Sequence, residues 1–330
     1  MSGRSLELVC PAGTPASLKA AVEAGADAVY LGLADETNAR NFPGLNFSPR
    51  DFRHAVEYAH REGVKVLLAV NTFPTAGNVA PWRRAVDLAA EEGADAVIVA
   101  DMGLTAYTAR THPGLRLHLS VQASASTPDA IGYFVERFGV KRVVLPRVLT
   151  LPEIAALNRA IPCESEVFVF GGLCVMAEGR CALSSYATGK SPNMNGVCSP
   201  PSHANYEREE GSLISRLGDF TINRFAAGEG AGYPTLCKGR FQVNGEASYV
   251  FEEPASLNAL DHLGELMAAG VSALKIEGRQ RGRAYIAEVV AKVRAAVDAV
   301  EAGGSVDAGG LAGLSEGGRQ TAGAYRKTWR

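Results

Sequence analysis

The sequence predicts an α/β fold, a closed (β/α)8 TIM-like barrel with an irregular, cysteine-rich insertion after its seventh strand. Three observations lead there. First, a phrase repeats: Glu23-Ala-Gly-Ala-Asp-Ala-Val-Tyr-Leu31 returns as Glu92-Gly-Ala-Asp-Ala-Val-Ile-Val99, with weaker echoes at 138–145 and 269–276. Each copy reads as a helix ending on glycine, a short turn and an unbroken apolar run. Glycine suits the left-handed position that follows a helix, and an unbroken apolar run suits a strand covered on both faces. Second, eight such runs alternate with amphipathic segments, and eight parallel strands close a barrel. Third, the alternation breaks once, between 174 and 254, where helical period gives way to Gly, Pro, Ser and Asn.

Taken in order, strands fall near 6–10, 27–33, 65–71, 95–100, 116–122, 142–146, 166–170 and 272–276. Helices lie between most of them, near 15–24, 49–62, 81–92, 103–110, 128–138, 152–160 and 256–269, and a last one near 283–301 follows the eighth strand. The barrel therefore spans 1–173 and 255–303, the insertion 174–254, and a tail 304–330 opens on Gly-Gly-Ser with few apolar residues. Within the insertion, Asn195-Gly196 and Asn244-Gly245 mark turns, the second of them inside a hairpin running from Phe241 to Phe251. An open doubly wound sheet is the alternative fold. It is disfavoured because Cys10-Pro-Ala-Gly-Thr-Pro after the first strand lacks a Gly-x-Gly-x-x-Gly fingerprint.

With 330 residues and an apolar fraction of 47%, the chain has the composition of a soluble globular protein. No apolar run approaches the about 20 residues of a membrane span. No signal peptide opens the sequence, so a cytoplasmic, reducing compartment is expected. There, clustered cysteines are metal ligands or catalytic groups more often than disulfides. A net charge of −2 supplies no overall basic field, which argues against a nucleic-acid partner.

Four cysteines fall in the irregular stretch, spaced Cys174-x6-Cys181-x16-Cys198-x38-Cys237. Four thiolates suit either structural zinc or an iron–sulfur cluster. Zinc knuckles bring ligands as close pairs, which are missing here. Single cysteines from separate loops suit a cubane, and scattered core cysteines are the third reading. Cys10 reads as a small core residue inside or at the mouth of the barrel, and Cys163 has no assigned role.

Polar residues at the C-terminal ends of barrel strands read as site residues. Here these are Asn71, Thr72, Asp101, Gln122, Arg147, Glu277 and Arg279. Arg147 and Arg279 have the fork geometry to clamp carboxylates, and Glu277 reads as a proton-transfer group or as the ion-pair partner of Arg279. Catalytic candidates are therefore Glu277, Arg279, Arg147 and Gln122. Asn38-Ala-Arg40-Asn-Phe42 forms a loop after the second strand that can close over the site. Six scattered histidines show no His-Glu-x-x-His pairing, and no Gly-x-Ser-x-Gly elbow is present, so zinc-peptidase and serine-hydrolase chemistry lack their residues.

The segment Glu166-Val-Phe-Val-Phe-Gly-Gly-Leu-Cys174-Val-Met-Ala-Glu-Gly-Arg-Cys181-Ala-Leu-Ser184 resembles the signature of peptidase family U32. Phrases at 10–13, 38–47, 120–124, 144–147, 232–239, 275–280 and 314–317 extend the resemblance over nearly the whole chain. Within the family it looks most like the UbiU branch of oxygen-independent ubiquinone biosynthesis. The resemblance implies a [4Fe–4S] cluster on Cys174, Cys181, Cys198 and Cys237. It also implies hydroxylation of the aromatic ring of a ubiquinone precursor, a UbiV-like heterodimer partner, a UbiT-like lipid carrier and prephenate as oxygen donor. Two alternatives stay open: an RNA-base hydroxylase of the same family, against which the near-neutral charge and short tail count, and a non-catalytic scaffold stapled by a metal.

Overall fold

The computed structural model describes residues 6–192, 198–306 and 309–326. The turn expected at Asn195-Gly196 lies outside these. The chain runs β1 (Glu7–Pro11), α1 (Pro15–Glu23), β2 (Ala28–Leu31), α2 (Pro49–Arg61), β3 (Lys65–Val70), α3 (Ala80–Glu91), β4 (Ala96–Val99), α4 (Met102–Thr111), β5 (Arg116–Leu119), α5 (Pro128–Phe138), β6 (Arg142–Val144), α6 (Leu151–Ala160) and β7 (Glu164–Gly172). The insertion follows with α7 (Leu183–Thr188), a three-stranded antiparallel sheet of β8 (Ala204–Glu209), β9 (Ser212–Leu217) and β10 (Phe220–Phe225), and a hairpin of β11 (Arg240–Val243) and β12 (Glu246–Tyr249). The chain then returns through β13 (Ser256–Asn258), α8 (Leu263–Ala268), β14 (Ala273–Ile276), α9 (Arg283–Glu301) and β15 (Gln320–Thr321).

Strands β1 to β7 pair in parallel in chain order, and β14 pairs with both β7 and β1, so eight strands close on themselves. This is the (β/α)8 barrel the repeats predict. Local chemistry sets the helix starts. Ser48 with Asp51, and Thr150 with Glu153, form capping boxes, and a proline sits in each first turn, Pro49 and Pro152. Among the described residues, no helix is long and apolar enough to cross a membrane.

Alternation along the strands divides the core. Leu8, Cys10, Val29 and Leu31 face the helices, together with Phe52 and Trp82. Val9, Tyr30, Leu67 and Ile98 fill the barrel interior. Cys10 is thus a core residue as expected, but on the outer face of β1 rather than inside the barrel.

The end of the barrel where the strands begin is closed by charge. Arg142 is buried and reaches Glu7 at 2.8 Å, Glu164 at 2.7 Å and Glu166 at 3.3 Å. Lys275 Nζ donates to Glu166 Oε1 at 2.6 Å. Burial raises the Glu7 carboxyl, but Arg142 and Lys65 outweigh it and hold the group down at about 2. Burial, aided by Arg142 and Arg116, keeps His118 neutral.

One expected element is corrected. The helix expected at 256–269 begins only at Leu263, because Ser256–Asn258 pair antiparallel with the extended end of β7. The apolar-poor tail is nonetheless docked. Strand β15 pairs with β13, Leu311 and Ala324 are buried, and the buried Tyr325 hydroxyl donates to the Phe168 carbonyl at 2.7 Å. The Asn244-Gly245 hairpin forms as predicted, with φ of 52° and 87° at the two turn residues.

Candidate functional site: a thiol- and arginine-lined cavity

A cavity of about 700 Å³ lies over the C-terminal strand ends, walled by the barrel, the insertion and the tail. Cys174, Cys181, Cys198 and Cys237 all line it, as do Gln122, Arg147, Glu277 and Arg279. Four loops 174–237 residues along the chain are thus gathered over the face where barrel sites are built.

Glycine at two positions lets these loops approach the barrel. A Cβ on Gly179, where φ is +85°, would stand 1.8 Å from the Gln122 carbonyl oxygen. One on Gly171, at φ +115°, would stand 2.3 Å from the Glu277 carbonyl oxygen. The Ser124 hydroxyl donates to the Glu178 carbonyl, which ties the segment between Cys174 and Cys181 to the turn after β5. The Ser184 hydroxyl on α7 donates to the Cys198 carbonyl, and Tyr233 donates to the Ser199 carbonyl at 3.1 Å. Cys237 sits in a single 3-10 turn, next to the buried Lys238, whose ammonium pairs with Glu316 of the tail.

Burial pushes the Cys174 and Cys237 thiols up to about 12. Among the described residues, no three His, Cys, Asp or Glu side chains are grouped closely enough to hold one metal ion. A single tetrahedral ion would need its sulfurs roughly 4 Å apart, given Zn–S bonds of about 2.3 Å. A cubane instead spreads four thiolates over four irons.

The arginines differ from each other. Arg147 is structurally committed: its Nε donates to Glu178 Oε1 at 2.6 Å, its Nη1 donates to the Gly172 carbonyl, and its guanidinium lies 4.2 Å from the Phe168 ring centroid. Burial disfavours its charge, but Glu178 keeps it ionised. The predicted Glu277–Arg279 ion pair does not form. Glu277 faces Arg40 instead, Oε1 to Nε at 3.6 Å, and accepts the Gly172 N–H at 3.1 Å. Burial opposes its charge, yet Arg40 and Arg147 hold its carboxyl below the ordinary range, so it stands as a carboxylate. Arg279 donates to the Asn38 side-chain oxygen at 2.6 Å. The Glu277 backbone stays beside β7, so the side chains at 277 and 279 reach different neighbours.

Gln122 falls in a 3-10 turn just past β5, and its Oε1 is buried without a partner. Asn71 accepts the Ala39 N–H at 3.0 Å and so anchors the 38–42 loop. Thr72 donates to the Glu36 carbonyl. Asp101 caps α4. Cys163 is half-buried in the core margin, pushed up to about 11 by burial. Lys275 and Tyr30 were missed by sequence reasoning. The Lys275 ammonium lies 3.8 Å from the Tyr30 ring centroid on the cavity floor. Period-two alternation along the eighth strand, which puts Lys275 inward, is the signal that could have found it.

These features define a TIM-type barrel protein with a capped, thiol-bearing cavity on its catalytic face. The family model described as Peptidase family U32 matches residues 13–317, and the chain belongs to that family. It is similar to tRNA hydroxylation protein P of Helicobacter pylori, 32% identical over 89% of this chain and 64% of that protein. The protein of the same name from Escherichia coli is 31% identical over 91% of this chain and 70% of its own length. The Escherichia coli 23S rRNA 5-hydroxycytidine C2501 synthase is 30% identical over 91% of this chain and 40% of its own length. The chain therefore spans about two thirds of the first relatives' length or less. These relatives are named for RNA, not for ubiquinone.

The expectation of no nucleic-acid partner is overturned by these relatives. The physical reason is that net charge is a whole-chain sum. The −2 total conceals a cavity whose walls carry Arg40, Arg147, Lys238, Lys275, Arg279 and Arg281 against Glu178, Glu277 and Glu316.

Proposed function

We propose that this chain is the barrel portion of an RNA-base hydroxylase that works without O₂, and that Cys174, Cys181, Cys198 and Cys237 hold a [4Fe–4S] cluster. The observation that carries the reading is the convergence of all four thiols on one cavity, in a chain whose relatives are named for tRNA and rRNA hydroxylation. Four cysteine sulfurs from separate loops, with no single-ion grouping among the described residues, fit a cubane by the chemistry of the donor set. A bound cluster supplies redox chemistry there.

The chain's own residues supply the rest. The cavity volume of about 700 Å³ is in the range of small-ligand sites and admits a nucleobase splayed out of a single strand. Tyr30 and Leu173 give it apolar wall, and Gln122 lines it beside them. Glu277, held ionised, is a basic group on the wall.

Two measurements test this. Protein isolated without oxygen should contain about four iron and four sulfide per chain; zinc in their place would sink the cluster. Nucleosides and quinones from a deletion strain grown without oxygen are profiled together. A missing hydroxylated nucleoside with normal quinones is expected. Intact nucleosides with depleted quinone would overturn the RNA reading in favour of the ubiquinone branch.

A further inference from the structure

The loop that follows β14 places two arginines on the cavity wall, Arg279 and Arg281. Arg279 is only 4% exposed, yet among the described residues no carboxylate lies within ion-pair distance of it. Its one hydrogen bond goes to the neutral amide oxygen of Asn38, through Nη1. The other guanidinium nitrogens have no protein acceptor among the described residues, and they are not among the buried unpartnered atoms. They therefore face the cavity space. Arg281 makes a ring contact, 5.2 Å above Tyr285, and has no carboxylate partner among the described residues. Glu277, the acid at the start of the same loop, is taken up by Arg40 and the Gly172 N–H.

A buried guanidinium without an anion is costly unless something supplies the charge. Burial, aided by the neighbouring Arg40 charge, brings the Arg279 guanidinium down to about 10 in spite of Tyr30 and Glu277. The helix α9 begins immediately after this loop, and its N-cap Gly282 brings no side-chain cap, so its positive end adds to the same field. The position also agrees with general barrel architecture, in which loops after the last strands receive oxyanions.

We propose that Arg279 and Arg281 form an oxyanion subsite in the cavity that takes a phosphate group. The RNA reading above enters only in naming the source: the phosphodiester beside the base that occupies the cavity. The same chemistry would also hold a free phosphate-bearing small molecule. Arg279 acts as the fork that grips two oxygens, and Arg281 as the second charge at the rim.

The test uses anaerobically isolated full-length protein, with Arg279→Lys and Arg281→Gln. Among the described residues the Arg281 side chain has no hydrogen-bonded partner, so its variant remains informative if the Arg279 variant folds poorly. Inorganic phosphate binding is read by phosphorus NMR line broadening, and binding of a single-stranded RNA oligonucleotide by fluorescence anisotropy across a salt series. If the site takes RNA phosphate, both variants lose the phosphate broadening and bind RNA about tenfold more weakly, and the Arg281→Gln salt slope falls by about one. Loss of broadening with unchanged RNA affinity keeps the oxyanion subsite and assigns it to a small anion, leaving the RNA reading to its own test. Unchanged broadening and unchanged RNA affinity in both variants overturns the proposal.

Discussion

The clamp between Arg147 and Glu178 gives the sharpest stability prediction. The two side chains are 5% and 6% exposed and meet at 2.6 Å. Arg147→Met removes this bond, the bond to the Gly172 carbonyl and the stacking on Phe168, and leaves Glu178 as an uncompensated buried charge. Breaking one side of a buried pair costs about 3–5 kcal/mol. The methionine recovers part of the stacking, so the expected loss is about 4 kcal/mol. In urea, with a slope of about 3 kcal/mol per molar, the midpoint falls by more than about 1 M. Arg147→Met combined with Glu178→Met buries no charge and is expected to regain most of the loss, to within about 1.5 kcal/mol of the parent. Hydrogen exchange supplies the spatial readout: the single variant should deprotect the 174–182 segment before the barrel strands. A single variant costing under about 1 kcal/mol, or a double variant no better than the single, would refute the assignment of Arg147 to structure.

Three further outcomes are expected. Gly179→Ala sets a Cβ against the Gln122 carbonyl at a left-handed φ, so it should cost about 1–3 kcal/mol and lower iron content, measured by denaturation and metal analysis of the same sample. Glu7 is held at about 2 against an ordinary 4.5, so its contribution, roughly 3 kcal/mol, is complete above pH 4.5 and is lost as pH falls toward 2. The stability gap between parent and Glu7→Gln should accordingly be flat from pH 5 to 7 and shrink below 4.5; a gap that widens on acidification refutes it. Tyr325→Phe removes one buried hydrogen bond to the Phe168 carbonyl, costing about 1 kcal/mol by thermal or urea unfolding, with exchange increased in the tail.

The barrel was legible because its signals are local. β3 at Lys65–Val70 and α2 at Pro49–Arg61 lie within a residue of their predicted ranges, since alternation, caps and glycine stops are written into short windows. Strand β13 was not legible. Ser256-Leu-Asn continues a helical pattern, and only the distant end of β7 makes it a strand. The β8–β10 sheet was likewise hidden in polar sequence, where half the strand positions face solvent. The site divides the same way. Composition drew attention to the cysteines, and strand-end position drew it to Arg147, Glu277 and Arg279. Their partners were out of reach, because Asn38 with Arg279, and Lys238 with Glu316, join residues 241 and 78 positions apart. Charge was the most misleading guide, because a sum near zero says nothing of how arginines are placed around one cavity.

The ionic layer of Glu7, Arg142, Glu166 and Lys275 has a kinetic consequence. It plugs the far end of the barrel, so among the described residues the chamber is shut on that side and lies open only toward the face the insertion covers. Under the function proposed above, product that lingers there competes head-on with incoming substrate.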